Sequence, residues 1–265
     1  MIRPMATPKR ASIFALFFLA FVPWVNAAYA QDRGAANTAK TIVLQIKGNI
    51  SPDLVPQVKD AIAKATGDSL PAGLIVLLQS PGGDGMAAIE VGRLLREAHA
   101  HVFTSGKCSS ACVFIFMGGV VRQARDGDLG IHQARITRVD KDTKKRVDVD
   151  THRSDRARKK LDEGNQRIRE YLQEMGVLAQ FFTAMDAVPA NTMRWLTRLE
   201  AKDLGVVGWE RSYLQTRDRF LIERLGARPG DLERNTDRVL DRCAEELNKP
   251  QANFARCYRL SLDRP

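Results

Sequence analysis

Ser110, His132 and the pair Gly82-Gly83 are the residues whose types and settings could do chemistry together. Attack on an acyl carbon needs a nucleophile, a base within its reach, and backbone N–H donors for the oxyanion. Ser110 stands in Gly106-Lys107-Cys108-Ser109-Ser110-Ala111-Cys112, at the entry of an apolar run that reads as a helix. A serine at a helix start is ordinarily an N-cap. Ser109 beside it leaves one of the two to cap while the other reacts, and Ala111 offers its N–H as an oxyanion donor. Gly82 and Gly83 follow Ser80-Pro81 directly after an apolar strand. Pro-Gly-Gly is a common turn, but the missing Cβ atoms also let a carbonyl approach main-chain N–H groups closely. One donor from this turn and the Ala111 N–H make a two-point oxyanion hole. His132, in Gly130-Ile131-His132-Gln133, closes a short strand and is the candidate base to Ser110, then acid to the leaving group. His99 and His101 flank a strand start and His152 lies in a charged segment, so neither setting points to chemistry. Asp186, ending a helix over 177–186, is the candidate to orient the imidazole; an ordinary helix-end aspartate is the plainer alternative.

These residues need elements to hold them. Thr41–Lys47 and Gly73–Gln79 read as buried strands, His101–Thr104 as a third, and roughly Leu129–Gln133 as a fourth. Helices are expected from Ser51-Pro52 to about Ala65, from Asp84 to Ala98, and from Ser110 to Gly118-Gly119. Strands alternating with helices imply an α/β fold with a parallel sheet covered by helices, because parallel strands need crossovers. In such sheets ligands bind beyond the carboxyl ends of the strands. Gly82-Gly83 and Ser110 both follow strand ends, which places them on one rim. Beyond them, Arg135 to Asp150 is charged and reads as a β-ribbon or loop, and 150–175 as one long polar helix with few apolar residues to bury. Its charges suit either solvent or a partner subunit. A helix near Leu199–Leu204 and a last short strand at Gly205–Gly208 follow, and residues 209–265 read as helical, basic and peripheral.

Residues 1–30 carry the pattern of a secretory signal. Arg3, Lys9 and Arg10 form a basic n-region, Ala11 to Val25 an apolar run, and Ala28-Tyr29-Ala30 a small-residue cleavage site. The run is shorter than the roughly 20 residues that span a bilayer. The expected mature chain is periplasmic or secreted, cut after Ala30, with no membrane anchor and a mobile leader at 31–40. Cleavage lowers the formal charge of +10 by three. The remaining charges are interleaved in sign and match no nucleic-acid motif, so a nucleic-acid partner is not expected. An oxidising compartment permits disulfides. Cys243 and Cys257, in the helical-looking tail, are the favoured pair. Cys108 and Cys112 lie one helical turn apart, within bridging range, and are either a second disulfide or two buried thiols. No C-x-x-C or histidine cluster accompanies them, so neither a metal nor a cofactor is expected.

Taken together, the motifs resemble the Clp protease proteolytic subunit. Residues 106–119, G-K-C-S-S-A-C-V-F-I-F-M-G-G, resemble its serine segment, with Ser110 on the nucleophile. Ser80-Pro81-Gly82-Gly83 is similar to its oxyanion turn and Ile131-His132-Gln133 to its histidine segment. Glu200-Ala-Lys-Asp-Leu-Gly205 resembles its closing motif, and Asp186 stands at about the spacing of its aspartate. Cys108 and Cys112 depart from the family's small residues. The resemblance covers about 41–208 and implies a ClpP/crotonase-like fold of repeated β-α-β units, with a protruding handle over 134–175 and a helical C-terminal extension. It implies a serine hydrolase, an endopeptidase by type, acting through Ser110, His132 and Asp186 on peptides or unfolded segments, and a homo-oligomer joined through the handle. The export signal removes access to a cytosolic ATPase partner, so an ATP-independent activity is expected. The alternative is a non-catalytic periplasmic binding or assembly protein that retains the fold.

Overall fold

Alternating faces of the central strands explain why the sheet is buried on both sides. Leu44 and Ile46, Leu74, Val76 and Leu78, and Val102 belong to the main core; Val43, Ile75, Leu77 and Phe103 belong to a second cluster. Successive residues of a strand point to opposite faces, so each strand serves two layers, as parallel sheets require. The structure is a computed structural model and describes residues 25–28, 41–66, 73–143, 146–210, 212–213, 215–216, 238, 242–243 and 257. The expected n-region, the leader at 31–40 and most of the C-terminal extension lie outside the described residues.

The chain is α/β with a mostly parallel sheet. Along it run β1 (Val25–Ala28), β2 (Thr41–Lys47), α1 (Leu54–Thr66), β3 (Gly73–Ser80), α2 (Gly85–Glu97), β4 (His101–Ser109), α3 (Ala111–Met117), β5 (Val121–Gln123) and β6 (Leu129–Ile131). Then come β7 (Thr137–Val139), β8 (Arg146–Asp148), α4 (Asp155–Glu174), α5 (Ala179–Asp186), β9 (Arg194–Leu196), α6 (Arg198–Asp203) and β10 (Gly208–Trp209). The large sheet has the order β1-β2-β3-β4-β5-β10, with β6 pairing β4 and β9; β7 and β8 form a separate hairpin. β2, β3, β4, β5 and the β4–β6 pair are parallel, and β1, β9 and β10 add antiparallel neighbours. β1 falls inside the segment expected to be cleaved. Its removal would leave β2 at the edge.

Several elements differ from expectation. α1 begins at Leu54 because Ser51 and Pro52 form a turn, whose Ser51 carbonyl accepts from the Leu54 N–H at 3.0 Å. β4 runs five residues past Thr104: Ser105–Ser109 has no apolar alternation, and its strand character comes from its neighbours. β5 and β9 are three-residue strands that only tertiary pairing creates. The ribbon alternative holds at 135–150, as the β7–β8 hairpin. The extension is not peripheral throughout, since Cys243 is fully buried against the second face of the sheet. It is bridged there to Cys257.

Three helix ends converge on two guanidiniums, that of the buried Arg122 and that of the half-buried Arg96. Arg122 donates to the Met117 and Met175 carbonyls at 3.2 and 3.3 Å and to the Gly205 carbonyl at 3.2 Å. Arg96 donates to Met117 and Met175 at 3.0 and 3.3 Å and pairs with Glu210 at 3.3 Å. Cations at carbonyl ends satisfy acceptors the helices leave open and oppose the helix dipoles. Burial, and then the charge of Arg96, lower the Arg122 pKa to about 10, which leaves it protonated at neutral pH.

Candidate active site

Strand register builds the site. β3 and β4 pair in step from Ile75–His101 to Leu78–Thr104, then shift, so that Ser80 at the end of β3 stands opposite Cys108. The extra residues in β4 form a bulge. The shift carries the turn after Ser80 alongside Ser109-Ser110-Ala111. On the other side Ser109 stands opposite Gly130 in β6, and the Ser110 N–H donates to the Gly130 carbonyl at 2.9 Å. His132, two residues on, therefore leaves β6 at the same rim as Ser110.

Ser110 does not cap α3. It sits at the N-cap position with φ 55° and ψ −128°, and its side chain makes no capping bond. Such a conformation is rare outside glycine and costs on the order of 1–3 kcal/mol, so its surroundings must impose it. A sharp strand-to-helix corner carrying an uncapped serine is the geometry of an exposed nucleophile. Two main-chain bonds flank it: the Cys108 N–H to the Asp128 carbonyl at 2.8 Å and the Val113 N–H to the Ser110 carbonyl at 3.0 Å. Cys108 and Cys112 are bridged, with Cα atoms 5.3 Å apart, so the disulfide alternative is the one found.

The glycine turn touches this corner. A Cβ on Gly82 would stand 2.7 Å from Ser110 Cβ, 2.8 Å from the Ser109 carbonyl oxygen and 3.1 Å from the Ala111 nitrogen. Gly82 also has φ +101°, which an L side chain rarely adopts. Its N–H donates to Ser80 Oγ at 3.0 Å, and its carbonyl accepts from the Ile50 N–H at 2.9 Å. The Gly82 N–H is thus occupied. Among the described residues no group takes the Gly83 N–H, and Ala111, first in α3, has no intrahelical acceptor. Of the two expected glycines, Gly83 is the one whose N–H is open among the described residues. Ser80 thus joins the site by holding the turn. Its signal is a hydroxyl two residues before a turn N–H, the spacing of a serine turn.

His132 is oriented by its own chain. Its Nδ1 lies 2.8 Å from the Gln133 carbonyl oxygen. A carbonyl only accepts, so Nδ1 carries the proton and the neutral ring presents Nε2 as acceptor, the form a general base needs. The Gln133 N–H in turn donates to the Val188 carbonyl at 2.8 Å, which fixes this segment to the loop after α5. No hydrogen bond joins Ser110 Oγ to His132 among the described residues. Catalytic hydrogen bonds are often long before substrate binds.

Asp186 does not take the orienting place. It ends α5 exposed, outside the cleft lining, and makes no hydrogen bond or ion pair among the described residues. The α5 residues that face the cleft are Phe181 and Met185. Helical spacing turns Asp186, next to Met185, onto another face.

The residues brought together line one cleft of about 1040 Å³. Ser110, Ala111, Gly82, Gly83 and His132 share it with an apolar slot of Val113, Phe114, Ile168, Phe181 and Met185. Arg135 and Asp148, paired at 3.0 Å, bring the β7–β8 hairpin to its rim, and Lys160, Glu163 and Arg167 bring α4. No group of residues able to hold a metal ion occurs among the described residues.

No family model matches the chain, and no curated protein matches it. Solved structures do. A mutant of ClpP1 from Listeria monocytogenes is 19% identical over 64% of this chain and 92% of its own, with a TM-score of 0.48. A mutant of the 1510-N membrane-bound stomatin-specific protease is 18% identical over 69% of this chain and 86% of its own, with a TM-score of 0.47. A second mutant of that protease, in complex with a substrate peptide, is 17% identical over 69% and 81%, with a TM-score of 0.46.

Proposed function

We propose that the chain is a serine hydrolase, by type a peptidase, in which Ser110 attacks the acyl carbon and His132 transfers the proton. The observation that carries this reading is the uncapped, left-handed Ser110 at the corner against Gly82. His132 Nε2 takes the Ser110 proton as the bond to carbon forms, and returns a proton to the leaving amine when the tetrahedral intermediate collapses. The Gly83 and Ala111 N–H groups stabilise the oxyanion. The Gln133 carbonyl holds the imidazole tautomer in place of an acid, so the working unit is a Ser-His pair supported by the main chain. The apolar slot suits an apolar side chain beside the scissile bond, which favours unfolded segments over folded surfaces.

We further propose that the protein acts outside the cytosol without an ATPase, on the strength of the signal pattern at 1–30, and that it self-associates through α4. Over its first half α4 buries only Ala157, whereas Ile168, Tyr171 and Leu172 anchor its second half. A monomeric mass by light scattering would remove the second part of this reading.

The decisive experiment is labelling by a fluorophosphonate probe. Wild type should label covalently at Ser110, and Ser110→Ala should not label. Equal labelling of the two would place the nucleophile elsewhere. No labelling of a folded wild type would favour the binding-protein alternative.

A further inference from the structure

The nucleophile is enclosed by a covalent ring. Cys108 is the second-last residue of β4 and Cys112 the second residue of α3, so the bridge joins the residues two before and two after Ser110. Both cysteines are fully buried beneath the corner, in the main core. Ser110 at φ 55° is the residue where strand becomes helix. Relaxing it to negative φ would reorient α3 relative to β4 and carry Cys112 away from Cys108. Bridged cysteines keep their Cα atoms within roughly 4.4–6.8 Å, and here they stand at 5.3 Å. With Cys108 and Ser109 held in β4, the bridge therefore opposes relaxation of Ser110 to the extended conformation of an ordinary N-cap. The flanking hydrogen bonds at Cys108 and Val113 hold the strand and the helix separately, and the disulfide ties one to the other.

We propose that Cys108 and Cys112 are positioning residues for the nucleophile: their bridge locks the corner that presents Ser110 to the cleft, so the site reaches its reactive form only in a chain whose thiols have been oxidised. This rests on the reading of Ser110 as nucleophile. Closing the bridge converts two thiols to one disulfide, releases two protons and passes two electrons to a disulfide oxidant, such as glutathione disulfide or a thiol oxidoreductase. Because both sulfurs are buried in the folded chain, the bond closes as the corner forms. A chain folded among reducing thiols would keep a relaxed Ser110. The device would silence the hydrolase before export and switch it on afterwards.

The test compares three preparations of the full chain with the same fluorophosphonate probe: wild type folded in a glutathione redox buffer, wild type folded in dithiothreitol, and Cys108→Ala/Cys112→Ala folded in the redox buffer. Circular dichroism and Tm are measured on each. Cys243→Ala/Cys257→Ala serves as the control for the second bridge and should label at the oxidised wild-type rate. The expected result is a labelling rate constant lower by about 100-fold in the reduced chain and the double variant, with sheet content retained. The loss should fall in the inactivation step and not in probe affinity, and unfolding the reduced chain and refolding it in the redox buffer should restore it. Labelling within threefold of oxidised wild type in a folded double variant overturns the proposal. If that variant does not fold, the reduced wild type decides; if that too is unfolded, the bridge serves folding and the proposal fails. Absence of labelling in oxidised wild type is a different result, and removes the Ser110 reading itself.

Discussion

Gly82 lies so close against Ser110 that a Cβ on it would stand 2.7 Å from the serine's own Cβ. The glycine is required twice over, by this contact and by its φ of +101°. Gly82→Ala should cost about 1–3 kcal/mol of stability. It should also lower the probe-labelling rate by about 100-fold by displacing the corner. Thermal melts and labelling kinetics on the same sample separate the two effects, and labelling at the wild-type rate would show that the turn does not set the serine.

His132 and Asp186 should behave oppositely. Removing the base, His132→Ala, should reduce labelling by about 10²–10⁴-fold without a matching change in Tm. Asp186→Ala should stay within threefold of wild type, because Asp186 is exposed and outside the cleft lining. A large loss in Asp186→Ala would restore it as the orienting acid.

Ser80→Ala tests how the oxyanion turn is set. The Ser80 hydroxyl accepts the Gly82 N–H at 3.0 Å inside a buried environment. Its loss leaves that donor unpaired, at a cost of about 1–3 kcal/mol. Turnover of an ester substrate should then fall in kcat more than it rises in KM, since an oxyanion donor acts in the transition state. An unchanged kcat would mean that the turn keeps its shape unaided.

Arg122→Met removes the donor shared by the carbonyls of Met117, Met175 and Gly205. Leaving these acceptors without the guanidinium should destabilise the chain by about 3 kcal/mol, visible as a lower denaturant midpoint. Labelling of the fraction that remains folded should be unchanged, because Arg122 lies outside the cleft lining.

Glu200 supplies an acid-dependent contribution. It completes a capping box with Thr197 at the start of α6. The Thr197 N–H, then Arg194, then the Thr197 hydroxyl hold its pKa down to about 2. A lowered carboxylate pKa stabilises the fold above the unfolded value of about 4.3 and loses that stabilisation as pH falls toward the folded one. Glu200→Gln should therefore melt below wild type at pH 6, with the gap closing between about pH 4.5 and 2. A gap that is constant with pH would assign the effect to packing.

What the sequence determined by itself was local. Gly82-Gly83, Ser110 and His132 are legible because glycine turns, helix starts and strand ends each leave short-range marks, and because alternation of strands and helices implies a parallel sheet. β5 and β9 leave none: three residues cannot show a period, and their strand character exists only in pairing, of β5 with β4 and β10 and of β9 with β6. Tertiary structure decided the rest. It turned Ser110 from a cap into a strained corner, a dihedral no residue name encodes. It assigned the imidazole to the Gln133 carbonyl, since main-chain acceptors are the same at every position in a sequence. It set Asp186 aside, because a neighbouring residue on a helix faces another way. And it closed Cys108 to Cys112, since a spacing of four permits a bridge but only the fold brings the two sulfurs together beneath the serine.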